Sequence, residues 1–140
     1  MTRKAANLLI MDACVLIDYI KTDRSVLALF SQHVGQAYVL NEILKEVRHI
    51  EPDMDLREIG LELVEPEIED LFLAGANQTA ESFQDKLCML TAKRHGYTCV
   101  TNDKNLRRLC RSEDVSSKWG LELLLDLYAE LRNQTRIDNI

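Results

Sequence analysis

The chain has 140 residues, of which 46% are hydrophobic and 29% charged, with only two prolines and five glycines. That is enough apolar material for one core and too little turn-forming residue for a disordered or collagen-like chain, so a single domain over residues 1–140 is expected. The net charge is −6, no apolar run nears the roughly 20 residues that span a bilayer, and no signal-peptide pattern precedes Asp12, so the expectation is a cytoplasmic protein without membrane attachment.

Residues 7–11, apolar from Leu8 onward, run up to Asp12, which predicts a fully buried strand of the parallel-sheet kind. A helix with apolar Val15, Leu16, Tyr19 and Ile20 follows, and a second begins near Ser25 and stops at Gly35. Ala37 to Leu40 reads as a second strand, and Asn41 as the N-cap of a helix through Ile43, Leu44 and Val47 that ends before Pro52. Between Arg57 and Val64, Ile59, Leu61 and Leu63 alternate with polar neighbours, the pattern of a half-exposed strand. Pro66 in a first turn opens an acidic helix through Ile68, Leu71 and Phe72 to Gly75.

Thr79 or Ser82 caps the next helix, whose stripe of Phe83, Leu87, Leu90 and Thr91 ends at Gly96. Tyr97 to Thr101 is again a buried strand, closed by Asn102-Asp103. A basic helix with Leu106, Leu109 and Cys110 comes next, then an irregular stretch over 111–119. The last helix starts at Gly120 and carries Leu121, Leu124, Leu125, Tyr128 and Leu131 as its apolar stripe. Strands alternating with helices predict a three-layer α/β/α domain around a mainly parallel sheet of about four to five strands.

Cys14, Cys88, Cys99 and Cys110 form no Cys-x-x-Cys pair, and His33, His49 and His95 lack ligand spacing with them. Buried free thiols are the expectation, and any metal would be held by oxygen. Charge is divided along the chain. Residues 42–85 carry 13 acids against 3 bases, whereas residues 86–111 carry seven bases against the single acid Asp103. The basic segment suits a polyanion and the acidic one a cation or basic partner, although two solvated helix faces of opposite sign would give the same pattern.

In open parallel sheets functional groups gather beyond the carboxyl ends of strands. Asp12 and Asp103 both follow strand ends, and if those strands are neighbours the two carboxylates make each other harder to ionise unless a divalent cation lies between them. Glu46 and Asp85 can reach the same place from helices. Four hard oxygen donors suit Mg²⁺ or Mn²⁺ and the in-line displacement of a phosphodiester, although an N-cap or a solvated surface charge is the plainer role for Glu46 or Asp85 taken singly.

The segment from Leu9 to Tyr19 resembles the opening motif of PIN-domain ribonucleases, with Asp12 as its acid. Tyr38 to Val47 is similar to the second motif and places Glu46, with Glu42 one turn earlier as the alternative acid. Ser82-Phe83-Gln84-Asp85 resembles the third, and Thr101-Asn102-Asp103-Lys104-Asn105-Leu106 the fourth, giving Asp103 with Thr101 and Asn102 in support. The resemblance covers roughly residues 7–131 and places a last edge strand within 111–119. It implies a PIN-like fold and a Mg²⁺- or Mn²⁺-dependent endoribonuclease with Asp12, Glu46, Asp85 and Asp103 as catalytic and metal-binding acids. It also implies a homodimer acting as the toxin of a toxin–antitoxin pair, held by an antitoxin partner. Lys86, Lys104, Arg107 and Arg108 would then contact RNA phosphates.

Other readings differ at named residues. A haloacid-dehalogenase-like phosphatase needs a second aspartate where Cys14 stands, and a receiver domain needs an acidic pair and a late lysine that are not convincing here. A solitary RNA-processing or decay nuclease, and a non-catalytic PIN-like module binding RNA or protein, share the same fold; the second is disfavoured by the presence of all four acids.

Overall fold

The computed structural model describes residues 8–44, 56–76 and 81–138. Five strands, β1 (Leu9–Met11), β2 (Ala37–Leu40), β3 (Leu61–Val64), β4 (Thr98–Val100) and β5 (Ser117–Lys118), form one sheet in the order β3-β2-β1-β4-β5. All four pairings are parallel. The helices are α1 (Ala13–Asp23), α2 (Ser25–His33), α3 (Asn41–Leu44), α4 (Ile68–Ala76), α5 (Phe83–His95), α6 (Lys104–Ser112) and α7 (Gly120–Asp138).

Parallel strands need crossovers, and these are almost always right-handed. From β1 the chain moves one way to β2 and β3, then returns across the sheet to β4 and moves the other way to β5. The rule therefore sends α1 and α2 to one face and α4, α5 and α6 to the other. The packing agrees: α2 meets α1 and α7, while α5 meets α4 and α6. Leu9, Ile10, Met11, Val39, Leu40, Cys99 and Val100 are fully buried between these layers, as expected of strands covered on both sides. This is the α/β architecture expected from the alternation of strands and helices.

Three expectations about single elements are corrected. The stretch from Arg57 is not one strand: Leu56–Ile59 is a 3₁₀ turn and the strand begins only at Leu61, because Gly60 takes a left-handed φ of 83° that an extended run cannot contain. In α4 two of the three expected apolar residues are turned outward, Ile68 72% and Phe72 74% exposed, while Leu71 packs partly against the core and Asp70 and Ala74 are buried. The cause lies on α5, where Arg94 donates from Nε (2.8 Å) and Nη2 (2.9 Å) to the two oxygens of Asp70. A buried carboxylate held by a two-pronged guanidinium sets the helix's rotation more strongly than two exposed apolar side chains.

The last helix is rotated too. Leu123 and Leu127 face inward, and Leu121, Leu125 and Tyr128 are exposed. Its first residue is pinned at both backbone groups: Gly120 N donates to Asn102 Oδ1 at 2.9 Å, and Tyr19 Oη donates to Gly120 O at 2.7 Å. A side chain at Gly120 would approach Tyr19 Oη at 3.1 Å. The irregular stretch over 111–119 contains β5, a two-residue edge strand in parallel register with Cys99 and Val100. Cys88, Cys99 and Cys110 are buried free thiols and Cys14 is exposed. No described helix is long and apolar enough to cross a membrane.

Candidate active site

Between β1 and β4 the chain direction across the sheet reverses, and such a switch point leaves a crevice at the carboxyl ends of the two strands. Asp12 lies there as the residue after β1, its N–H donating to Val100 O at 3.0 Å. Met11 pairs with Val100, so Asp12 and Thr101 are the next pair in register. Thr101 Oγ1 donates to Asp12 Oδ2 at 2.8 Å and accepts from Asp103 N at 3.0 Å. A hydroxyl has one proton, so the direction of both bonds is fixed. Thr101 thus ties the two aspartates into one unit.

Both acids also cap helices. Asp12 Oδ1 accepts from Ala13 N at 2.7 Å at the start of α1. Asp103 Oδ1 accepts from Asn105 N (2.8 Å) and Leu106 N (3.4 Å) at the start of α6. Each cap uses one of the two carboxylate oxygens. The N-cap role expected of Glu46 or Asp85 taken singly is here played by Asp12 and Asp103, and it coexists with their meeting at the switch point.

Asp85 comes from the first turn of α5. Ser82 caps this helix, its Oγ accepting from Asp85 N at 3.1 Å. Burial and the charges of Asp12 and Asp103 raise the Asp85 carboxyl to about 6. Burial likewise raises Asp12, with the charge of Asp103 adding to it and the Thr101 and Ala13 bonds opposing it. The Cys14 thiol, though exposed, is raised by partial desolvation and by the fields of Asp12, Asp103, Asp18 and Asp85. Three carboxylates from three elements therefore share one electrostatic region, and their mutual repulsion is a charge that a cation would offset.

The donor set, carboxylate oxygens, is of the kind that suits a hard divalent cation. Among the described residues no three acidic, histidine or cysteine side chains stand close enough to hold one ion. Of the other predicted site residues, Glu46 lies outside the described residues. Glu42 stands in the first turn of α3, which begins on Asn41 itself. Asn102 turns its Oδ1 to Gly120 N, holding the loop after β4 to the start of α7. Lys104, Arg107 and Arg108 line one pocket, together with Arg111 and Trp119, whereas Lys86 lines a separate cavity beside Leu73, Met89 and Leu109. Trp119 was not foreseen: it lies 15 residues beyond Lys104 in the sequence, and only the fold brings it under Arg107.

No protein-family model matches the sequence, and no curated protein matches it. Solved structures do. A PilT N-terminus domain protein from the hyperthermophilic archaeon Sulfolobus solfataricus P2 superposes with a TM-score of 0.62 at 10% identity, over 86% of this chain and 92% of that one. PAE2754 from Pyrobaculum aerophilum superposes with a TM-score of 0.63 at 17% identity, over 86% of this chain and 96% of that one. The chain has the PilT N-terminus, or PIN, domain fold. In this PIN fold Asp12, Asp85 and Asp103 stand at the switch-point end of the sheet, where open parallel sheets carry their functional groups.

The raised Asp85 carboxyl has a consequence for stability. Its folded-state value, about 6, lies above the ordinary aspartate value of about 4. The folded chain therefore holds this proton more tightly than the unfolded one, and the stability so gained is complete below pH 4 and lost as pH rises through 6. Asp85→Asn is expected to raise the melting temperature at pH 7.5 and to leave it nearly unchanged at pH 4, as thermal unfolding by circular dichroism at the two pH values will show.

Proposed function

We propose that this protein is a metal-dependent endoribonuclease that hydrolyses RNA phosphodiester bonds at the Asp12–Asp85–Asp103 cluster, with Glu46 as a fourth acid. The observation that carries the reading is the gathering of three carboxylates at the switch point from three separate elements, with the Thr101 hydroxyl tying the Asp12 carboxylate to the backbone N–H of Asp103. A fold shared with a PilT N-terminus domain protein supports a nuclease.

Asp12, Asp85, Asp103 and Glu46 would hold Mg²⁺ or Mn²⁺, for which carboxylate oxygens are suited donors. Such an ion, when bound, eases the deprotonation of water at neutral pH and offsets phosphate charge. Thr101 and the Ala13 N–H hold one oxygen each of Asp12 and so keep that carboxylate aimed out of the sheet end. Asp85 holds its proton up to about pH 6, so its charge depends on what else occupies the site. Lys104, Arg107 and Arg108, one to five residues past Asp103, would receive the phosphates flanking the cut.

The narrower proposal is the toxin of a toxin–antitoxin pair acting as a homodimer. It is supported by the apolar surface that Leu121, Leu125 and Tyr128 expose along α7, which a partner would cover. The nuclease itself is tested by incubating the purified chain with single-stranded RNA in excess chelator and then restoring Mg²⁺ or Mn²⁺. Cleavage is expected only after restoration; undiminished cutting in chelator would overturn the metal requirement.

A further inference from the structure

Lys104, Arg107, Arg108 and Arg111 recur at i, i+3, i+4 and i+7 on α6, so they share one face of the helix. With Trp119 they line a pocket of about 290 Å³, at the small end of the range for ligand sites. The guanidinium of Arg107 stacks over the Trp119 ring at 4.0 Å from its centroid. Its Nη2 lies 3.5 Å from Glu122 Oε1, and Glu122 Oε1 also accepts from Trp119 N at 3.0 Å. Arg107 Nε and Nη1 are buried and have no hydrogen-bond partner among the described residues.

We propose that this pocket is a subsite for one unpaired nucleotide of single-stranded RNA, its phosphate against the α6 cations and its base against the Arg107–Trp119 stack. The identity of the strand rests on the ribonuclease reading; the pocket's chemistry does not.

Four cations stand against the one carboxylate of Glu122 at this pocket, so its charge selects an anion. Two of the three Arg107 nitrogens have no acceptor among the described residues, so Glu122 offsets the guanidinium only in part and its charge adds to the field that draws a phosphate to the pocket. An arginine plane stacked on an indole is also a surface on which an unstacked base settles, as in proteins that bind single strands. A base inside a duplex keeps its faces covered by its neighbours and cannot enter a concave pocket of this size. Position completes the argument. Lys104 follows Asp103 directly, and Trp119 precedes Gly120, which Asn102 holds beside the acid cluster. The pocket wall is therefore tied to the same loop that carries Asp103.

Trp119 is the only tryptophan in the chain, so its fluorescence reports on this pocket alone. The wild-type chain in excess chelator, where RNA stays whole, is titrated with a short single-stranded oligouridylate, an abasic strand of the same length, a blunt RNA duplex, uridine monophosphate and inorganic phosphate. Saturable quenching is expected with the oligouridylate, with little quenching by the abasic strand or the duplex. Arg108→Ala and Arg111→Ala, both exposed positions that leave the fold undisturbed, should each weaken that saturation about tenfold and flatten its salt dependence. No saturable quenching, equal quenching by the duplex, tighter saturation by uridine monophosphate than by the strand, or wild-type affinity in both variants would each overturn the subsite. Quenching without cleavage under any divalent cation would remove the nuclease reading and keep the subsite. Cation-dependent cleavage without quenching would do the reverse.

Discussion

Asp12→Asn is expected to lower RNA cleavage at least about a thousandfold, on the order of 4 kcal/mol of transition-state stabilisation, while raising thermal stability at neutral pH. The first effect follows from place. Asp12 is 6% exposed at the end of the central strand, and both its oxygens are aimed by Ala13 N and Thr101 Oγ1. An asparagine keeps the shape but removes the negative charge that a cation or a water proton would use. The second effect follows from the raised carboxyl, in which burial outweighs the two hydrogen bonds. The charged form is then disfavoured in the folded chain, and a neutral isostere escapes that cost above the ordinary aspartate range. The gain should vanish below about pH 4, where Asp12 is protonated in both states. A residue kept for structure would behave the other way, losing stability and activity together. Single-turnover rates with Mn²⁺ beside melting curves at two pH values separate the two.

The acids themselves were legible because the rule that exposes them is local. An apolar run that ends abruptly on a carboxylate marks a strand leaving the core, and this happens at Met11-Asp12 and again, one residue delayed, at Thr101-Asn102-Asp103. Alternating strands and helices then restrict the topology enough to make those two strands candidates for neighbours, 91 positions apart in sequence though they are. What stayed hidden depends on partners far along the chain. Nothing near Asp70 foretells that Arg94 will draw it inward and leave Phe72 in solvent. In α7 two leucine stripes compete, Leu123 with Leu127 and Leu121 with Leu125, and the tie of Gly120 to Asn102 and Tyr19 favours the first. The α6 cations could be read from their spacing. Their pocket could not, because its aromatic wall arrives from the strand-to-helix turn at Trp119.

Gly60→Ala is expected to destabilise the chain by about 3–5 kcal/mol, a drop in melting temperature of roughly 10–20 °C for a domain of this size. Two costs add at this position. Gly60 has φ 83°, a conformation that costs a residue with a Cβ roughly 1 kcal/mol. The added Cβ would also lie 2.5 Å from Ala28 Cα and 3.0 Å from Ala28 N, backbone atoms of α2 that no rotamer change can move. The neighbourhood resists a shift, because Gly60 O accepts from Gln36 Nε2 at 3.1 Å and from Ser31 Oγ, joining the turn before β3 to the end of α2. Gly96 supplies the control. Its φ is 73° and a Cβ there meets nothing within 4 Å, so Gly96→Ala isolates the backbone cost at about 1 kcal/mol. Denaturant unfolding of the two variants measures the difference as the contribution of the Ala28 contact alone. Equal losses would mean that α2 yields by several tenths of an ångström without resistance, and the packing of β3 against α2 would then be looser than its geometry requires. Because β3 pairs with β2 and β2 with β1, that looseness would extend toward the strand that ends on Asp12.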